Sequence, residues 1–202
     1  MRKAFTLVEL LTVIAIMGAL AAIAIPSARM GGGPTVTNSA AILGGILDNA
    51  RQEAVAKNVY VGVALGNVGD TLWITAFAAD NGANIDWSLP ITLPAGRLRL
   101  ITAPRSFART ILKTSGEFKP ASLPDPDIDP VNINALAKAS VTVSGRNLTR
   151  LLVFTPGGQA LSDAELNQYI EFAIVSARDN KQQDPAVFRV SGNLGIFTVY
   201  RN

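Results

Sequence analysis

One apolar run near the amino terminus constrains this chain more than any other feature. Residues 5–25 contain a single charged side chain, Glu9. A helix of this length is about 31 Å long, and the hydrocarbon core of a bilayer is about 30 Å thick. Arg2 and Lys3 precede the run. The positive-inside rule therefore predicts a spanning helix with a cytoplasmic amino end and an external remainder.

The residues alone leave three interpretations of this run open. A cleaved secretory signal peptide would use Arg2 and Lys3 as its basic region and Ala22-Ile23-Ala24 as its cleavage site. An ordinary membrane anchor is the second interpretation. The third depends on Glu9, because a carboxylate inside a membrane helix costs a few kcal/mol and therefore needs a partner or a function.

The residues around Glu9 carry a resemblance to a known family. The segment Ala4-Phe5-Thr6-Leu7-Val8-Glu9-Leu10-Leu11 resembles the prepilin cleavage and methylation motif of type IV pilins and type II secretion pseudopilins. The resemblance implies that a prepilin peptidase cuts between Ala4 and Phe5 and then N-methylates Phe5. It also implies a kink-forming proline, here Pro26. The family usually has glycine before the cut, so Ala4 is expected to slow processing at most.

The resemblance also implies a partner for Glu9. The new amine of Phe5 has a reference pKa of about 8 and is mostly cationic at neutral pH. In a helical filament, the family places this amine beside the Glu of a neighbouring subunit. Glu9 would then form a buried pair that sets the register of assembly.

A second helix is predicted after a glycine-rich joint. Residues 31–35 include three glycines and a proline, which break the first helix. Apolar residues then recur three and four apart, and this spacing predicts one buried helix face over about residues 36–57. The predicted core positions are Val36, Ala40, Leu43, Leu47, Ala50 and Ala54. We expect the sheet that follows to cover them.

Alternating apolar residues and turn signals predict strands in the rest of the chain. The predicted strands cover residues 59–65, 71–78, 97–102, 110–113, 140–144, 150–155, 169–176, 188–190 and 195–200. Residues 119–134 are rich in proline and aspartate, and they predict an irregular loop.

The predicted fold class is α+β and pilin-like. A long N-terminal transmembrane helix precedes a second helix, which packs on an antiparallel β-sheet or β-sandwich. The predicted units are a leader at 1–4, a spanning and polymerisation helix at 5–30, a joint at 31–35 and a globular domain at 36–202. Segments 49–58 and 154–160 resemble, more narrowly, the H-type minor pseudopilins, in which a β-sandwich packs on the helix.

The composition excludes several classes of chemistry. The chain has no histidine and no cysteine, so Ser-His-Asp and Cys-His hydrolases, cysteine-ligated metals and disulfides are excluded. It also lacks the GxxxxGK[ST] loop that would bind a nucleotide. We predict no enzymatic activity and no cofactor.

Three aspartates in the predicted loop form a weak calcium candidate. Asp125, Asp127 and Asp129 have the alternate spacing of a calcium loop. An EF-hand needs Gly at its sixth position and Glu at its twelfth, where this chain has Pro130 and Leu136. The segment is therefore not an EF-hand, and a calcium site and a solvated loop both remain open.

One short basic element resembles a DNA-binding element of some minor pilins. That element is Gly96-Arg97-Leu98-Arg99, whereas the family carries it near the carboxyl terminus. The formal charge of +3 falls to +1 when Arg2 and Lys3 are removed. A nucleic-acid-binding surface normally shows a clustered basic excess, so we expect no nucleic-acid partner.

These observations predict a structural subunit of a type II secretion or type IV pilus-like filament that supports protein secretion. Its expected partners are other pilin or pseudopilin subunits, the prepilin peptidase and the inner-membrane assembly platform. Its expected location is the bacterial inner membrane, as a single-pass protein with an external carboxyl-terminal domain, and then the filament. Two alternatives stay open: a minor type IV pilin for DNA uptake or adhesion, and a simple membrane-anchored or secreted β-domain protein.

Overall fold

The computed structural model describes part of the chain in detail. The described residues are 13–14, 33–79, 90–93, 98–114, 117, 133–162, 168–178 and 185–201. The predicted leader, most of the predicted spanning helix and most of the predicted loop at 119–134 lie outside them. Within these ranges, no helix combines the length and the apolar character that crossing a bilayer requires.

Helix α1, Gly33–Lys57, is the predicted second helix. It begins inside the predicted joint, and Pro34 suits its first turn because the missing N–H of proline would have no partner there. At the other end, Asn58 adopts a φ of 52°. The amide of Val59 then donates to the carbonyl of Ala54 at 3.1 Å, which ends the helix in a Schellman motif.

The predicted apolar stripe of α1 is confirmed. All six predicted core positions are buried, with exposed fractions of at most 6%. Ile46 and Ser39 extend the same face, and the hydroxyl of Ser39 lies 3.3 Å from the hydroxyl of Thr110. The ring of Phe197 packs closely on Gly44. A Cβ at Gly44 would lie only 3.1 Å from that ring.

The strands form one continuous hydrogen-bonded network among the described residues. The order along its main path is β12-β11-β10-β5-β2-β1-β8-β7-β3, with β4 on β2, β6 on β10 and β9 on β8. Most pairs are antiparallel. The strands are β1 Val61–Val68, β2 Thr71–Ala79, β3 Ile91–Leu93, β4 Leu98–Ala108, β5 Thr110–Thr114, β6 Ile133–Ala135, β7 Ala137–Val143, β8 Arg146–Phe154, β9 Ala160–Leu161, β10 Tyr169–Ser176, β11 Ala186–Ser191 and β12 Phe197–Arg201.

The predicted fold class is confirmed in part. One long helix packs on a large, mostly antiparallel sheet in the described residues. The expected β-sandwich is not present as two separate sheets, because β4 and β5 connect the two halves. β4 pairs with β2, β5 pairs with β10, and Arg109 between them has a φ of 60°. The bend at Arg109 therefore lets the nearly continuous stretch of β4 and β5 change from pairing with β2 to pairing with β10.

β4 extends six residues beyond the predicted strand 97–102. Its pairing with β2 skips Pro104, which has no N–H to donate. Among the described residues β4 pairs with β2 alone, and such an edge strand tolerates a proline. Strands β3, β6 and β9 were not predicted, because two or three residues carry no readable alternation.

Asn67 on β1 forms side-chain hydrogen bonds to β5 near the point where β5 separates from β2. Its side-chain amide donates to the carbonyl of Leu112 at 2.9 Å, and its oxygen accepts from the amide of Leu112 at 2.7 Å. The side chain thus makes the two bonds that a neighbouring strand would make. It joins the two halves of the sheet at the start of the bend.

The two largest apolar clusters of the described residues lie on opposite faces of the sheet. The larger one lies under α1 and includes Phe172 and Phe188, whose rings stack with centroids 5.1 Å apart. The smaller one lies on the opposite face of β1 and β2, around Phe77 and Leu93. Burial of one such large side chain stabilises the fold by about 1.5–3 kcal/mol.

Candidate functional site

The predicted site residues of the amino-terminal motif lie outside the described residues. These are Ala4, Phe5, Glu9 and Pro26. The same holds for the calcium candidates, Asp125, Asp127 and Asp129. Their roles therefore stay predictions. Within the described ranges, no group of three or more Asp, Glu, His or Cys side chains lies close enough to hold a metal ion.

The structure brings together parts of the segments 49–58 and 154–160. Arg51, on the last turns of α1, donates from Nε to the carbonyl of Leu194 at 2.9 Å and, more weakly, to that of Gly158 at 3.4 Å. Gly158 belongs to the turn after β8, and Leu194 to the turn between β11 and β12. One arginine of the helix thus holds two loops from distant parts of the chain. We call this contact the Arg51 junction.

A close approach of two glycines makes the Arg51 junction possible. Gly195 has a φ of +62°, and a Cβ on it would lie 2.1 Å from the carbonyl oxygen of Gly158. Gly158 itself has a φ of +81°. Gly158 requires glycine because of its backbone conformation. Gly195 requires it for the same reason and also because the Gly158 carbonyl leaves no space for a Cβ.

The surface at the Arg51 junction is apolar. Val55, Leu194 and Ile196 are 49%, 57% and 51% exposed. They surround a backbone that Arg51 and the two turns hold in place. The junction therefore presents a small apolar surface near the carboxyl end of α1.

An ion-pair cluster stands next to this end of α1. Glu53 Oε1 lies 2.6 Å from both Arg99 Nη2 and Lys57 Nζ. Hydrogen bonds from Arg99 and then from Lys57 hold the pKa of Glu53 below its ordinary value. Arg99 belongs to the basic element predicted from sequence, whose Gly96 and Arg97 lie outside the described residues. Its guanidinium ties β4 to α1.

A buried ion pair lies on the sheet face opposite α1. Glu171 on β10 and Arg189 on β11 are cross-strand partners, with Oε1 and Nη2 3.1 Å apart. Their side chains are 0% and 6% exposed. Burial raises the pKa of Glu171, and the Arg189 charge opposes this shift. Glu171 Oε2 has no hydrogen-bond partner among the described residues.

The Glu171–Arg189 pair was not predicted from the sequence. The two residues are 18 positions apart and belong to different strands. The available signal is that each stands in an otherwise apolar strand, β10 or β11. A charge in such a run needs a partner, but the partner is defined only by the pairing of the strands.

A shallow groove of about 540 Å³ runs between the first turns of α1 and the last residues of β4. Its lining includes polar and apolar side chains. The lining residues are Asn38, Ser39, Ile42, Arg105, Ser106, Phe107 and Ala108.

Comparisons with known proteins identify the amino-terminal motif. Residues 1–25 match the family model described as the prokaryotic N-terminal methylation motif. The predicted prepilin-type motif, and with it the resemblance to pilin-like proteins, is thereby confirmed. No curated protein matches the chain. The structure is similar to that of the type IV minor pilin FimU of Pseudomonas aeruginosa at 17% identity and a TM-score of 0.43, over 82% of this chain and 87% of that one.

A pair of glycine substitutions tests the Arg51 junction. Gly195→Ala is expected to destabilise the fold by about 2–5 kcal/mol, because the new Cβ strains the backbone and overlaps the Gly158 carbonyl. Gly69→Ala is the matched control, since Gly69 has a φ of +58° and open space around its Cβ position. Gly69→Ala should lower the free energy of unfolding only by the cost of a left-handed backbone at an L residue, about 1–2 kcal/mol. Urea unfolding measures both, and equal losses would contradict the close approach.

The Glu171–Arg189 pair makes stability depend on pH. Burial raises the pKa of Glu171 above its unfolded value of 4.5. Its contribution to stability is therefore complete below about pH 4.5 and is lost as the pH rises through the folded-state pKa. Glu171→Gln should remove this component of the pH dependence, as measured by urea unfolding at a series of pH values.

The partner substitution provides the control. Arg189→Met leaves the Glu171 carboxylate buried without its cation and is expected to cost about 3–5 kcal/mol at neutral pH. The double variant Glu171→Gln, Arg189→Met should recover most of that loss. A parental pH dependence in Glu171→Gln would refute the assignment.

Proposed function

We propose that this chain is a structural subunit, a pseudopilin, of a type II secretion or type IV pilus-like filament. The observation that carries the proposal is the match of residues 1–25 to the methylation motif. The motif combines a site for peptidase cleavage with the start of an apolar helix, and its one acidic residue is Glu9. A simple anchor or signal peptide has no use for that carboxylate.

The precursor inserts with its amino end in the cytoplasm and its globular domain outside the inner membrane. A prepilin peptidase removes residues 1–4 and methylates the new amino terminus at Phe5. The segment 5–30 then leaves the membrane and packs in the filament core, with the Phe5 amine beside Glu9 of a neighbouring subunit. Force comes from a separate assembly ATPase, because the chain has no nucleotide-binding loop.

The described domain supports this role through α1. Its apolar stripe is buried on the sheet from Val36 to Ala54. The helix is therefore a rigid part of the domain and not a free connector. Because α1 begins at Gly33 and packs on the sheet, it connects the amino-terminal segment directly to the globular domain. The Arg51 junction lies at the opposite end of α1, where we expect it to contact other subunits or secreted cargo.

The DNA-uptake alternative has less support. Arg99, the described arginine of the predicted basic element, is held 2.6 Å from Glu53 and joins β4 to α1. Its charge therefore serves the fold. A gel shift by the purified chain that weakens steeply with salt would favour this alternative.

The mature terminus tests the proposal directly. We expect the membrane-purified protein to begin at N-methylated Phe5, because the motif directs cleavage after Ala4. Intact-mass and amino-terminal analysis measure this. A host without prepilin peptidase is the control, and Ala4→Gly should be processed at least as fast. An intact Met1 or a terminus at Ile25 in the normal host would contradict the proposal.

The role of Glu9 has its own test. Glu9→Ala should reduce incorporation into sheared filaments by at least about tenfold, since the Phe5 amine would be buried without its partner. Glu9→Asp keeps the charge and is the matched control. Quantitative immunoblots of filament and membrane fractions measure the ratio. Normal incorporation of Glu9→Ala would show that the carboxylate has another purpose.

A further inference from the structure

The described domain gathers arginines at the end where α1 begins. We call Arg105, Arg109, Arg178 and Arg201 the basic end. Arg201 donates to the hydroxyl of Thr37 in the second turn of α1.

Two further contacts place the other arginines at this end. The carbonyl of Arg109 accepts from the amide of Ala177 at 2.9 Å, which brings Arg178 beside it. Arg105 lines the groove with Asn38. Asp70, in the β1–β2 turn, also lies near this end, because its neighbour Thr71 pairs with Thr110.

Three of the four charges at the basic end form no ion pair within the described part of the fold. All four side chains are exposed. Arg105, Arg109 and Arg178 form no ion pair with a described carboxylate. At the opposite end of α1 the cations are engaged, since Arg51 binds two carbonyls and Arg99 and Lys57 bind Glu53.

Arg109 occupies a position that favours glycine. Its φ of 60° lies in the left-handed region, which an L side chain enters at a steric cost. The residue forms the bend between β4 and β5, and glycine would form it without strain. The fold therefore contains a strained residue whose exposed charge forms no ion pair with a described carboxylate.

We propose that the basic end binds the anionic phosphates of the membrane surface beside which the amino-terminal segment emerges. The inference rests on the proposed function to the extent that residues 5–30 lie in a bilayer. Residues 31 and 32 join that segment to α1, so residue 30 and Gly33 lie at most about 10 Å apart, which is about one Debye length at physiological salt. The arginines therefore lie within electrostatic reach of lipid headgroups, and each adds attraction to an anionic surface.

This contact orients the domain before assembly. The unassembled subunit lies with the basic end against phosphates, and the Arg51 junction points away from the membrane. Because the contact is electrostatic and exposed, it is weak and reversible. Extraction of the amino-terminal segment into the filament breaks it and leaves the arginines free.

The experiment uses the full chain, which has no cysteine and so accepts a single labelled one. Ala108→Cys carries a donor dye at the basic end, and Asn193→Cys carries it in the far turn; both positions are exposed. The protein is reconstituted into phosphatidylcholine vesicles with or without phosphatidylglycerol, with an acceptor dye on the headgroups. Energy transfer reports the distance of each end from the surface, and vesicle flotation reports insertion.

We expect transfer from position 108 to rise when phosphatidylglycerol is present and to fall back in about 0.5 M NaCl, where the Debye length is only a few Å. Transfer from position 193 should be lower in the same vesicles. Arg109→Gly and Arg178→Gln should each lower the ratio of docked to undocked domain about fivefold. Lys57→Gln removes one charge from the far end and should leave the ratio unchanged.

Arg109→Gly also separates binding from folding, since removing the left-handed arginine should keep or raise the unfolding temperature. Failure of the chain to float with either vesicle would refute the proposed function. Flotation without any effect of lipid charge, salt or the two substitutions would refute the membrane contact alone. If duplex DNA bound the chain and lost affinity with the same substitutions while energy transfer did not change, the basic end would be a nucleic-acid surface instead.

Discussion

The packing of α1 on the sheet is the interaction on which the rest of the structure depends. Six apolar side chains at helical spacing enter a core that also contains Phe172 and Phe188. Gly44 brings the helix close enough to meet the ring of Phe197 on the last strand. The helix therefore joins the first and last parts of the domain. Without this face the sheet would expose its larger core to water, and burial of apolar area is the main favourable contribution to folding.

The same helix separates two kinds of electrostatic environment. Near its carboxyl end, Arg51 and Glu53 fasten two loops and β4 to the helix. Near its amino end, the exposed charges of Arg109 and Arg178 make no ion pair with a described residue. This division suits a subunit that is tethered at one end and contacts partners at the other.

Local patterns in the sequence predicted local structure well. The stripe of α1, the β1–β2 hairpin and the limits of β10 follow from the spacing of apolar residues and from turn signals, which act between near neighbours. The amino-terminal motif was predicted for the same reason, because its elements are contiguous, and the family model confirms it. Short strands such as β6 were missed, and the length of β4 was underestimated because a proline inside an edge strand resembles a strand end.

The sequence by itself determined the apolar run with its single Glu9, the amphipathic helix and the β-rich remainder, because each is a property of consecutive residues. Only the tertiary structure decided the bend at Arg109, the Glu171–Arg189 pair and the Arg51 junction. Each of these depends on contacts between residues that are distant in the chain, and those contacts are set by which strands pair and in which register. Pairing is selected by the whole core at once, so no short stretch of sequence contains it.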